Sequence, residues 1–169
     1  MFPHKLLEKI GTIGTGHFLN FMINNGFDYG IYIPVIAFFG PIWGCGIMII
    51  LSMILNITLI WVYDKTGKDW LGFEMLKEGK EELSTGLPNW IRNLIQLGDF
   101  GAFIGLSIYD PFMATIYLRK KENVHNGLSK RDWRIFFSAT ILSNVGWTGL
   151  VYGGISGFQW LLKTAQLLW

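Results

Sequence analysis

Three aspartates, Asp28, Asp99 and Asp110, lie in stretches that are otherwise almost free of charge. A carboxylate at mid-bilayer costs on the order of 3 kcal/mol, so such a residue faces water, meets a partner or carries a proton. Asn24, Asn25, Asn56 and Asn144 recur in the same apolar surroundings, and Tyr109 adds a hydroxyl beside Asp110. Oxygen-rich side chains of this kind suit a polar pathway for a cation or a proton. A structural reading competes: Asp110 precedes Pro111 and could cap a half-helix, Asp99 could pair with Arg92, and Asp28 could lie at an interface.

Other chemistry finds little support. His4, His17 and His125 are scattered with no carboxylate at ligand spacing, and there is no HExxH, phosphate-binding glycine loop or serine elbow. No enzyme, cofactor or metal site is therefore expected. The single Cys45 cannot form a disulfide within one chain and reads as a small buried apolar residue. A cluster of Arg119, Lys120, Lys121, Lys130, Arg131 and Arg134 lacks the aromatic platform or recognition helix of a nucleic-acid binder, so no nucleic acid is expected.

The elements that must hold these residues are membrane helices. Tyr29 to Tyr63 contains no Asp, Glu, Lys or Arg. As one helix at ~1.5 Å per residue it would far exceed the ~30 Å hydrocarbon core of a bilayer. Gly40-Pro41 is the natural place to stop and restart, since glycine accepts left-handed dihedrals and proline suits a first helical turn. Residues 41–63 then form a full span. The segment at about 17–39, made polar by Asn20, Asn24, Asn25 and Asp28, either spans or is re-entrant. Further membrane segments are expected at about 90–117, broken at Asp110-Pro111, and 135–157. A surface amphipathic helix is expected at about 69–83 with Asp69 as N-cap, and the apolar tail after Gly157 fits an interfacial helix.

Composition agrees. The chain has 169 residues, 51% hydrophobic and 15% charged, with a mean hydropathy of +0.36. Trp61, Tyr63, Trp70, Trp90, Tyr117, Trp133, Trp160 and Trp169 fall at or near the span ends, as amphipathic rings do at the headgroup level. No cleavable leader is expected, because the region after the basic start is interrupted by glycines and asparagines. The basic stretch 118–134 is the best cytoplasmic loop. If 17–39 is re-entrant, Lys5 and Lys9 join that side, so positive-inside logic favours three full spans plus a re-entrant element in a cell (inner) membrane.

Asp28-Tyr29-Gly30 before Gly40-Pro41 is matched by Asp99-Phe100-Gly101 before Asp110-Pro111, the spacing differing by one residue. A duplication of this kind would place broken helix ends at mid-membrane. Glycines spaced by four, at Gly26 and Gly30, Gly40 and Gly44, Gly101 and Gly105, and Gly149, Gly153 and Gly157, predict faces for close helix packing. The fold expected is thus an all-α integral membrane protein, a single domain of three to four transmembrane helices with broken or re-entrant segments. Its function is that of a channel or transporter subunit passing an ion or small solute through an oligomer. The alternative is a non-catalytic structural or assembly subunit of a larger membrane complex. The partners expected are the lipid bilayer and either copies of the same chain or other membrane subunits.

Overall fold

The computed structural model describes residues 4–70, 87–120, 122 and 125–166, with side chains from residue 11 to residue 164 of these. The described residues contain no strand. α1 (His4–Phe27) passes through a single π-helical stretch (Asp28–Tyr32) into α2 (Ile33–Thr66). Within α2, Gly40 has φ 75° and ψ 174°, outside helical space, and Pro41 opens the next helical turn. The expected break therefore falls at Gly40-Pro41. It is a sharp fold: a Cβ on Gly44 would lie 3.2 Å from Ile36 Cα, whereas eight residues of straight helix span about 12 Å.

The arm before Gly40 returns alongside the arm after it, with Tyr32 and Ile36 clustering on Met48. Towards the other end the arms diverge around an apolar cavity of about 630 Å³, lined by Leu19 and Ile23 on one arm and Leu59 and Val62 on the other. At the open end Gly16 packs on Trp70 so tightly that a Cβ there would overlap the Trp70 carbonyl. The first arm thus reaches from the Gly40 tip to the level of Trp70. Two stretches are long and apolar enough to cross a membrane, Gly11–Thr66 and Lys130–Thr164.

Residues 90–117 depart from the single broken span expected. They form three short helices, α3 (Asn89–Ile95), α4 (Asp99–Tyr109) and α5 (Pro111–Leu118). α3 ends where Gly98, at φ 89° and ψ −168°, accepts a conformation that few side chains tolerate, and its N–H bonds the Ile95 carbonyl at 3.0 Å. α4 then folds back on α3, with Gly101 against the Leu94 carbonyl and Gly105 against the Leu94 side chain. The second break falls where expected: Asp110 is extended and Pro111, lacking an N–H, starts α5.

α6 (Lys130–Gln166) is one helix of 37 residues. It begins with a reciprocal cap: Ser129 N–H donates to Asp132 Oδ2 at 2.9 Å and Asp132 N–H to Ser129 Oγ at 3.3 Å. Two expectations are corrected here. The segment at 135–157 and the apolar tail are not separate elements, because neither a proline nor a left-handed glycine interrupts α6 as far as Gln166. The basic stretch 118–134 is not all loop: Lys130, Arg131 and Arg134 belong to α6, and Arg119 is buried in an ion pair with Asp64. The expected surface helix at 69–83 lies, beyond Trp70, outside the described residues.

α6 is the post on which α2, α4 and α5 pack. The main core joins Leu59, Ile60 and Tyr63 of α2 to Leu106, Phe112, Met113 and Phe136, with Ile91 of α3 beside them. Tyr63, Trp70, Phe112 and the ring of His125 cluster at its end, with Tyr63 stacked on His125 and Trp70 on Phe112. Large apolar side chains also lie on the outside, and a polar cluster lies within. Phe38, Ile42, Trp43, Leu97 and Phe100 are each more than 70% exposed, whereas Asn20, Ser52, Asn56, Ser107, Asp110 and Asn144 are buried.

Candidate polar site at the helix breaks

Asp110 is the centre of the buried polar side chains. It ends α4 and heads α5, and it is 2% exposed. Oδ1 accepts the Phe112 N–H at 2.9 Å, so the expected capping role is present. Oδ2 accepts Asn20 Nδ2 at 2.7 Å and Asn24 Nδ2 at 2.9 Å. These two amides sit one turn apart on α1 and tie it to the α4–α5 break.

Asp28 continues the same face one turn further on, as the first residue of the π-helical stretch. π-helical turns inside longer helices are frequent at functional sites because the extra residue re-aims the side chains around them. Here Asp28 stays on the cavity side while Tyr32, four residues on, reaches α6. Its hydroxyl donates to the Asn144 carbonyl at 2.6 Å and lies 2.9 Å from Thr148 Oγ1. Ser52 Oγ of α2 donates to Asn144 Oδ1 at 3.1 Å, and Asn144 Nδ2 donates to the Thr140 carbonyl at 2.8 Å. Asn144 is consequently a tie between α2, α6 and the π-helical stretch, with its amide engaged at both ends.

Two cavities meet at this cluster. The wider, about 460 Å³, lies between α1 and α6 and is walled by Asn20, Asn24, Asn25 and Asp28 facing Trp90, Tyr109 and Trp147. The smaller, about 30 Å³, lies deeper and is lined by Asp28, Asp110, Asn24, Asn56, Ser52 and Asn144 among others. Asn24, Asp28 and Tyr109 line both, and among the described residues no Lys, Arg or His lines either.

Of the residues expected from sequence, Asp28, Asp110, Asn24, Asn56, Asn144 and Tyr109 come together, and Asn25 lines the wider cavity while its Nδ2 donates to Phe21 O. Asp99 does not join them. It is exposed in the first turn of α4, at the opposite end of that helix from Asp110. Asn20, Tyr32, Ser52 and Thr148 belong to the cluster and were not among the candidates. Their signal is a polar residue every fourth position: Asn20, Asn24, Asp28 and Tyr32 on one arm, Ser52 and Asn56 on α2, Thr140, Asn144 and Thr148 on α6.

The expected glycine faces divide. Gly44, Gly101 and Gly105 make close approaches, and Gly40 serves the turn. Around Gly26, Gly30, Gly149, Gly153 and Gly157 a Cβ would meet nothing within 4 Å, so these pack against none of the described residues. Among the described residues no group of three or more His, Cys, Asp or Glu is gathered as metal ligands. No protein-family model, no curated protein and no solved structure matches this chain.

Proposed function

We propose that this protein is a small polytopic membrane protein, a channel or transporter subunit that passes an ion or small solute through an oligomer. Lipid is its solvent, and the 17–39 segment spans as the antiparallel partner of 41–63. The exposed large apolar side chains and the buried, hydrogen-bonded polar cluster support this setting, since polar groups in lipid must be satisfied inside the protein. One observation carries the transport reading: Asp28 in the π-helical turn and Asp110 at the α4–α5 break line the same small cavity, beside a wider one between α1 and α6. Interrupted helices with polar side chains at their ends are how small transporters build sites at membrane depth.

Reconstitution into proteoliposomes tests it. Wild-type protein is expected to carry a monovalent cation or proton flux. Asp28→Asn, which keeps the shape and leaves no hydrogen bond broken, is expected to lower that flux at least about tenfold with an unchanged elution profile and thermal midpoint. Full flux in Asp28→Asn, or none in wild type for any monovalent cation or proton, overturns the reading.

A second reading, a docking subunit of a larger complex, is favoured by the uncovered glycines of α6 and the exposed Tyr152, Phe158 and Trp160 around them. Co-purification of unrelated chains at fixed stoichiometry in mild detergent, with no flux, would establish it in place of transport.

A further inference from the structure

Asp28 and Asp110 face the same small cavity, and only one of them is compensated. Asp110 accepts three hydrogen bonds and stands at the head of α5, where the free N–H groups carry partial positive charge. Among the described residues Asp28 has no donor and no cationic partner, and no basic side chain lines the cavity. A half-buried carboxylate in that position faces water, carries a proton or takes a counter-charge.

One amide points independently to a ligand. Asn56 is 4% exposed, lines this cavity, and makes no side-chain hydrogen bond among the described residues. Buried amides are almost always satisfied, so its oxygen wants something positive. Asn24, whose Nδ2 is committed to Asp110, adds a second amide oxygen beside Asp28.

Size and charge narrow the class. About 30 Å³ holds one or two water-sized spheres, too little for a magnesium ion that keeps several waters. One uncompensated carboxylate among neutral oxygens matches a single positive charge, and hard oxygen donors with no nitrogen or sulfur exclude a soft metal. We propose that Asp28, Asp110, Asn24 and Asn56 bind one dehydrated monovalent cation of sodium's size, reached through the wider cavity. This names the ion for the transport reading and rests on it only for what happens after binding.

Scintillation-proximity binding of radioactive sodium to the detergent-purified chain tests the site. Expected are saturable binding near one ion per chain, displacement by unlabelled sodium and none by equal choline or potassium. Asp28→Asn is expected to abolish binding and Asn56→Ala to weaken it about tenfold, the loss of one ligand oxygen. Asp99→Asn is expected to bind as wild type. Absence of saturable sodium binding, including the case in which only protons bind, overturns the site, as do equal displacement by choline and wild-type binding in Asp28→Asn. If Asp28→Asn does not fold, Asn56→Ala and the wild-type ion series decide alone. Sodium binding without flux overturns transport and leaves the site standing, whereas flux without sodium binding does the reverse.

Discussion

Replacing Asp110 separates the three bonds that its carboxylate accepts. Asp110→Ala removes the cap on α5, about 1 kcal/mol, and the acceptor for Asn20 and Asn24. Hydrogen bonds between membrane helices average ~0.6 and reach ~1.7 kcal/mol, and bonds to a charged group lie at the upper end. Two such bonds add about 2 to 3 kcal/mol, so Asp110→Ala is expected to cost roughly 3 to 4 kcal/mol. Asp110→Ser keeps a capping oxygen but is too short to reach two amides on α1, so it should recover only about 1 kcal/mol of that. The assay is reversible unfolding in mixed micelles on rising SDS fraction, followed by tryptophan fluorescence, since Trp90 and Trp147 line the adjoining cavity. A second readout is protection of α1 amides from hydrogen exchange, expected to fall in both variants because α1 loses its tie to the α4–α5 break. If Asp110→Ala unfolds within about 0.5 kcal/mol of wild type, or if serine and alanine are equal and α1 protection is unchanged, the bonding scheme is wrong.

Three further outcomes follow from the geometry. Gly40→Ala forces a side chain to φ 75° and should cost about 1 to 3 kcal/mol in the same unfolding assay, although a Cβ there meets no atom within 4 Å. Gly101→Ala would drive a methyl into the Leu94 carbonyl and is expected to cost more than about 1 kcal/mol in that assay, whereas Gly153→Ala, in open space, should stay within about 0.5 kcal/mol in detergent. Asp64→Ala removes the carboxylate paired with buried Arg119 and should cost about 1.5 to 3 kcal/mol, with Asp64→Ala/Arg119→Met together less damaging than Asp64→Ala alone in a double-mutant cycle.

The breaks at Gly40-Pro41 and Asp110-Pro111 were legible because a dihedral preference is carried by a residue and its immediate neighbours. The turn at Gly98 was legible too, as a glycine just past an apolar helix, but it went unread inside a stretch whose hydropathy looked like one span. Arg119 shows the opposite case. From its neighbours it belongs to an exposed basic cluster, yet it is buried because Asp64, 55 residues earlier in the chain, comes to meet it.

What the sequence alone determined is the helical character of its long apolar stretches and the polar residues at every fourth position that mark one face of each helix. A helix satisfies the backbone of a long uncharged run within the run itself, and a four-residue spacing keeps side chains on one side of an α-helix. Only the tertiary structure decided which of these faces converge: that Asp110 meets Asn20 across 90 residues, that Asp99 stays outside, and that α6 runs unbroken through its glycines. Those outcomes depend on how hairpins folded at Gly40 and Gly98 dock on a common post. Docking is settled by the fit of distant surfaces, which local preference does not encode.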